Sequence, residues 1–79
     1  MSQTTLDVLS EVKDERAFQN KKWGEQNHNH DRWMVILMEE VGEAAREAYE
    51  SNAARYRAEL VQVAAVAVAA IESLDRNDP

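Results

Sequence analysis

The spacing of apolar residues along the chain predicts helices throughout. Apolar side chains recur every three or four residues in two separate segments, which is the period of one face of an α-helix. The residues expected to form these buried sides are Leu6, Val8, Leu9 and Val12 in the first segment and Trp33, Leu37, Val41, Ala44 and Ala48 in the second. Alternating β-branched runs and Asn-Gly turns, which are typical of hairpins, do not occur. We therefore predict an all-α chain with three helices over about residues 4–19, 31–50 and 53–75.

Polar residues stand where each of these helices is expected to begin. Thr4 or Thr5 can cap the first helix, and Asp31 can cap the second. Ser51 or Asn52 favours a turn and can cap the third helix.

Residues 20–30 contain Gly24 and three Asn and show no apolar period, which predicts a loop. Lys21, Lys22 and Trp23 within it form a cluster of basic and aromatic residues. An indole face can stack on a nucleic-acid base, and neighbouring ammonium groups can meet phosphates. The alternative is that Trp23 packs into the core and fixes the loop.

The third predicted helix carries a run, Leu60 to Ile71, in which every residue except Gln62 is Ala, Val, Leu or Ile. A helix that is apolar all round is expected to be buried on all sides. Two partner helices from the same chain cannot cover it fully. The run therefore predicts that the helical bundle is completed by oligomerisation, as a homodimer or homotetramer.

Composition limits the function classes. The 79 residues suit a single domain over 1–79. A core of this size is only marginally stable and usually needs disulfides, metals or self-association to stabilise it. Cysteine is absent, so self-association is the expected support. The net charge of −6 argues against binding a nucleic acid polymer. The apolar run is too short to span a bilayer and no signal peptide is visible, so we expect no membrane association and a cytoplasmic location.

Acidic residues are concentrated in the second predicted helix. Glu40 and Glu43 lie one helical turn apart, and Glu47 lies one further turn along, beside the apolar side of the helix. Like charges at this spacing repel, and a divalent cation between them would relieve the repulsion. The alternative is a solvated charged face, since Glu is a good helix former.

Three segments in this order resemble the all-α nucleoside triphosphate pyrophosphohydrolase superfamily, and in particular its MazG-like branch of small single-domain members found in phages and mobile elements. The segments are Lys22-Trp23-Gly24-Glu25-Gln26, Ile36-Leu37-Met38-Glu39-Glu40-Val41-Gly42-Glu43-Ala44 and Glu59-Leu60-Val61-Gln62-Val63-Ala64-Ala65-Val66-Ala67. The resemblance implies Mg²⁺-dependent hydrolysis of a nucleoside triphosphate to a monophosphate and pyrophosphate, as nucleotide-pool housekeeping.

The resemblance also implies which side chains hold the metal. Mg²⁺, with Mn²⁺ as an alternative, would be held by Glu40, Glu43, Glu59 and the residue at position 62. The Glu-x-x-Asp motif of the family has Asp at this last position, whereas this chain has Gln62. The small members that resemble this chain often read Glu-Leu-Val-Gln, so Gln62 is either a feature of this subtype or a loss. An amide oxygen can bind Mg²⁺ but brings no charge, so the site would lose one of four formal negative charges.

The remaining polar residues suggest roles around such a metal. Glu39 could act in catalysis by orienting the attacking water. Lys21, Lys22 or Arg46 could meet phosphate oxygens, and Trp23 could contact the base. Glu47 is a further candidate for binding the substrate.

Two other functions fit the same sequence. A non-catalytic MazG-like relative would bind a nucleotide or a protein partner with the same bundle, and Gln62 would mark the lost activity. A purely structural oligomerisation module would bind neither metal nor nucleotide.

Overall fold

The computed structural model describes residues 4–77, so the ends of the predicted domain, 1–3 and 78–79, lie outside the described residues. The chain folds into three helices: α1 over Thr5–Trp23, α2 over His30–Tyr49 and α3 over Ala53–Asn77. The all-α, three-helix prediction is confirmed. No helix among the described residues is long and apolar enough to cross a membrane.

The helix starts are set by local side-chain caps. At α1, the Thr4 hydroxyl accepts a hydrogen bond from the Asp7 backbone N–H at 3.2 Å, and the Asp7 carboxylate accepts one from the Thr4 N–H at 3.3 Å. This reciprocal pair is a capping box. At α3, the Asn52 side-chain oxygen accepts from the Arg55 N–H at 3.1 Å, so Asn52 is the cap there.

The start of α2 differs from the prediction. Asn29, rather than Asp31, is its cap, and its side-chain oxygen accepts from the Arg32 N–H at 2.9 Å. Asp31 instead lies in the first turn, where its negative charge is stabilised by the helix dipole.

The end of α1 also differs, because the helix continues four residues beyond the predicted boundary. Lys21, Lys22 and Trp23 occupy its last turn rather than a loop. Cations at a helix C-terminus are favoured by the dipole, which accounts for the continuation. The helix stops at Gly24, whose φ of 74° is readily adopted only by glycine.

α3 is the central helix. Both α1 and α2 pack against it, while no Cα atom of α1 lies within 8 Å of a Cα atom of α2. Ion pairs fix α1 on α3: Arg57 donates to Glu11 at 2.6 and 2.8 Å, and Arg16 Nε donates to Glu72 at 2.9 Å. Arg16 follows Glu11 along α1, and its partner Glu72 follows Arg57 along α3. The two helices therefore run in the same direction. The short turn at 50–52 makes α2 antiparallel to α3.

The core lies between α2 and α3. Trp33 is buried against Val66 and Ala69, and Ile36, Leu37 and Ala70 pack around them. Trp33 and Ala44 are buried as predicted.

Two other predicted core positions of α2 are wrong. Val41 and Ala48 are exposed, since they lie on a flank of the helix that α3 does not cover.

The predicted core side of α1 is mostly uncovered in a single chain. Only Val12 of the expected set is buried, whereas Leu6, Val8 and Leu9 are exposed. The reason is that α1 packs on α3 alone and receives no cover from α2. The third helix is likewise not buried on all sides within one chain, because Leu60 and Ile71 are exposed.

Candidate metal centre

Three carboxylates from two helices converge at the margin of the core. Glu40 and Glu43 stand one turn apart on α2, and Glu59 approaches them from the first half of α3. One oxygen of each lies within 4.8 Å of the other two. The antiparallel packing of α2 and α3 thus brings together residues that are distant in sequence.

The environment of this cluster disfavours charge. Burial, together with the negative charges of Glu43 and Glu59, raises the pKa of Glu40 from 4.5 to about 7. Burial also raises the pKa of Glu59, helped by a hydrogen bond to Glu43 and by that residue's charge. Ionising all three groups together therefore costs free energy unless a cation neutralises them.

The oxygen atoms available here suit a hard divalent cation. Glu59 Oε2 is buried and has no hydrogen-bond partner among the described residues, and the same holds for Glu47 Oε2. The Glu47 charge also contributes to the raised pKa of Glu59. Carboxylate oxygens are the ligands that Mg²⁺ prefers in proteins, so the residues present fit this ion.

Gln62 makes its contacts on another side of α3. Its amide nitrogen donates to the Glu15 carboxylate at 2.6 Å, and its amide oxygen accepts from Gln19 at 3.4 Å. Both partners belong to α1. Gln62 as a metal ligand stays a prediction, and the amide oxygen would have to leave Gln19 to fulfil it.

An open groove of about 380 Å³ runs beside the cluster. It is lined by Glu43, Arg46, Glu47, Glu50, Arg55 and Glu59. Arg46 is paired with Glu50 at 3.4 Å. Arg55 lines this groove, and the sequence interpretation did not include it among the candidate residues. The available signal was its place one turn before Glu59 on the same helix, where the two side chains share a face.

Glu39 lies at the edge of the cluster. Its side chain is exposed, and its charge adds a small increment to the pKa of Glu40. A carboxylate in this position contacts water readily. Its role in catalysis stays a prediction.

The predicted substrate residues at the end of α1 are exposed. The Lys22 ammonium group lies 4.8 Å from the Trp23 ring centroid, in a cation–π contact. Trp23 is 54% exposed, so the alternative that it packs into the core is wrong.

The structure does not bring these residues next to the carboxylates. Gly24, which follows Trp23, lines a crevice with Ala69 of α3. Ala69 lies ten residues beyond Glu59 on α3, which corresponds to a distance along the helix on the order of 15 Å. A nucleotide would need to be extended to reach both regions, and binding by Lys21, Lys22 and Trp23 stays a prediction.

Comparisons of this chain with protein-family models, with curated proteins and with solved structures found no match.

Proposed function

We propose that this protein is a Mg²⁺-dependent nucleoside triphosphate pyrophosphohydrolase that acts as a homodimer or homotetramer. The observation that carries the proposal is the convergence of Glu40, Glu43 and Glu59 within 4.8 Å at the edge of an open groove. These are three of the four residues that the sequence resemblance assigns to the metal, and the fourth, Gln62, contacts Glu15 of α1 instead. Neither argument depends on the other, since one rests on the order of motifs and the other on helix packing.

Glu40, Glu43 and Glu59 would hold the ion. When bound, Mg²⁺ supplies charge neutralisation for the triphosphate and lowers the pKa of a water molecule. Water would add to the α-phosphorus, and the bond from that phosphorus to the oxygen bridging the α- and β-phosphates would break. The nucleoside monophosphate and pyrophosphate would then leave.

The other groups in the groove have roles that follow from their charge. Glu39 is exposed beside the cluster and would accept a hydrogen bond from the attacking water, orienting it and taking its proton. The guanidinium groups of Arg46 and Arg55 line the groove and would meet phosphate oxygens. Glu47, with one buried oxygen lacking a partner, would complete the set of oxygen ligands on the substrate side.

Pyrophosphate release from a panel of ribo- and deoxyribonucleoside triphosphates, with Mg²⁺ and with EDTA, tests the proposal. We expect release that requires Mg²⁺ and differs between bases. A folded protein that releases no pyrophosphate from any member of the panel would overturn it.

One observation favours a second candidate function, a non-catalytic nucleotide-binding relative. Gln62 replaces an acid and its amide is engaged by α1. This candidate predicts that nucleotide and Mg²⁺ raise the melting temperature without any turnover. A purely structural module predicts no rise with either ligand.

A further inference from the structure

A second open cavity, of about 370 Å³, lies between the amino end of α2 and the carboxyl end of α3. His28, Trp33, Ala70, Ser73 and Leu74 are among the residues in its wall. Its volume falls within the range of small-molecule sites. We refer to it as the end cavity.

The end cavity is separate from the carboxylate cluster. Trp33 precedes Glu40 by seven residues on α2, which corresponds to about 10 Å along the helix. Ser73 follows Glu59 by 14 residues on α3, which corresponds to about 20 Å. A ligand of the end cavity is therefore expected to bind whether or not a metal occupies the cluster.

Two buried polar groups in the wall of the end cavity have no hydrogen-bond partner within residues 4–77. They are the Ser73 hydroxyl oxygen and Trp33 Nε1. Ser73 is 1% exposed and Trp33 is 6% exposed, so water cannot easily replace the missing partners. Buried polar groups are nearly always hydrogen-bonded in native proteins. Because an indole N–H can only donate and a hydroxyl can donate, an acceptor group would satisfy both.

The surroundings of these two donors favour a negatively charged acceptor. The cavity lies at the amino end of a 20-residue helix, where the helix dipole stabilises anions. The half-buried His28 ring meets the Trp33 ring edge-on, with 4.9 Å between the centroids, and an imidazole N–H is a further donor. Ala70 and Leu74 add apolar wall. These neighbours suit an oxyanion that carries an apolar body.

Hydrogen bonds hold the loop side of the cavity in place. Arg76 donates to the Gln26 backbone carbonyl at 3.1 Å. The Asn77 amide donates to the Asn27 side-chain oxygen at 2.7 Å and to the Ser73 backbone carbonyl at 2.9 Å. The loop before α2 is thus fastened to the end of α3. A wall that is already ordered reduces the entropy lost when a ligand binds.

We propose that the end cavity binds a small organic oxyanion, whose oxygens accept hydrogen bonds from Ser73 Oγ and Trp33 Nε1 and whose apolar part lies against Ala70 and Leu74. Carboxylates and phosphate esters share this chemistry. The site goes beyond the proposed function and does not rest on it, because it uses none of the carboxylates of the metal centre.

The first experiment measures binding by calorimetry in EDTA, with phenyl phosphate and benzoate as probes. Phenol serves as the uncharged ring, and inorganic phosphate serves as the anion without an apolar body. We expect at least one of the two organic anions to bind at least tenfold more tightly than phenol and inorganic phosphate, and the tighter of the two identifies the head group. Binding of neither organic anion, or equal binding of phenol or inorganic phosphate, would overturn the proposal.

A matched pair of serine variants tests the buried hydroxyl. Ser73→Ala should weaken binding of the tighter probe on the order of tenfold, as expected for a lost hydrogen bond to a charged group. Without probe its melting temperature should not fall, because the hydroxyl has no partner within the described part of the chain. Ser10→Ala, at an exposed serine of α1, should change neither quantity. A Ser73→Ala variant that binds like wild type would overturn the proposal.

Two further measurements test the charge of the ligand and the second donor. Asp31 is exposed at the rim of the cavity, so Asp31→Asn should tighten binding of the anionic probe roughly threefold. Nuclear magnetic resonance follows the indole N–H groups of the two Trp residues. The Trp33 resonance should move on titration, while that of Trp23 stays in place. Unchanged or weaker binding in Asp31→Asn, or a stationary Trp33 resonance, would contradict the assigned contacts.

Discussion

Glu40 of α2 and Glu59 of α3 bring carboxylate oxygens within 4.8 Å of each other across the packed helix pair. Two carboxylates at this distance repel when both are ionised, and partial burial strengthens the repulsion. Burial and the neighbouring charges raise the pKa of Glu40 to about 7. In the absence of a cation, Glu40 is therefore partly protonated at neutral pH, and the next prediction uses that property.

Without metal, the protein should lose stability as the pH rises from about 4.5 to about 7. The folded-state pKa of Glu40 is above its unfolded value of 4.5, so the folded state binds more protons in this window. Solvent screening of the partly exposed carboxylate limits the loss to on the order of 1 kcal/mol. In a domain of this size, that corresponds to a fall of about 4–8 °C in melting temperature.

The measurement is thermal unfolding in EDTA between pH 5 and 8, repeated with Mg²⁺. Mg²⁺ should flatten the dependence, because it stabilises the ionised carboxylates. Glu40→Gln should flatten it without metal, whereas Asp75→Asn, at an exposed acid of α3, should not. An unchanged slope in Glu40→Gln would show that another group carries the effect.

Replacing either α2 carboxylate of the cluster should abolish Mg²⁺-dependent turnover. Glu40→Ala and Glu43→Ala each remove a charged ligand, and we expect pyrophosphate release to fall at least 100-fold. The helical circular dichroism signal should stay at the wild-type level, since alanine is the best helix former. Asp75→Ala serves as the matched loss of an acid outside the cluster, and full activity in Glu40→Ala or Glu43→Ala would refute the metal assignment.

The helices could be predicted because their signals are local. Thr4 and Asn52 were among the expected caps, and Trp33 and Ala44 follow the expected period. The predicted end of α1 is too early, because the lack of an apolar period around Lys22 and Trp23 favours a loop. Their positive charge and Gly24 instead extend and then stop the helix.

The parts that could not be predicted depend on which helices touch. Sequence period alone assigned Leu6 and Leu9 to the core, but α1 packs only on α3 and leaves them exposed. In the same way, spacing groups Glu40 with Glu43 but does not reach Glu59. The family resemblance assigns Glu59 to the same site, whereas its approach to the other two carboxylates depends on the packing of α3. The partners of Gln62 on α1 could not be predicted either, because they depend on how α1 packs against α3.

Gln62→Asp, which restores the acid implied by the family resemblance, should destabilise the protein by about 1–3 kcal/mol. The substitution removes the donor that binds Glu15 at 2.6 Å and places two carboxylates opposite each other. Urea unfolding at pH 7 measures the change.

The double variant Glu15→Gln with Gln62→Asp provides the control for this prediction. It replaces the like-charge contact by an amide donating to a carboxylate, and it should recover most of the lost stability. If the loss in free energy of unfolding of the double variant equals the sum of the losses of the two single variants, the two side chains do not interact in solution.

Two turn residues should respond in opposite directions to substitution. Ser51 has φ of 57°, a left-handed conformation that costs a non-glycine residue roughly 1 kcal/mol. Ser51→Gly should therefore raise stability by up to about 1 kcal/mol, less the entropy gained by the unfolded chain. Gly24→Ala should lower it by a similar amount, since φ is 74° there although an added Cβ meets no atom within 4 Å. Both are measured by urea unfolding, and a stabilising Gly24→Ala would contradict the assigned backbone geometry.

Trp23→Ala should weaken nucleotide binding without harming the fold. The indole is 54% exposed, so its removal should change stability by no more than about 0.5 kcal/mol. Loss of a base-stacking contact of about 1–3 kcal/mol should raise KM roughly tenfold, with kcat little changed. Trp33→Ala is the contrasting variant, because Trp33 is buried in the core and its loss should cost about 3–5 kcal/mol of stability. If Trp23→Ala leaves KM unchanged while Lys22→Ala raises it, the end of α1 recognises phosphate alone and the base lies elsewhere.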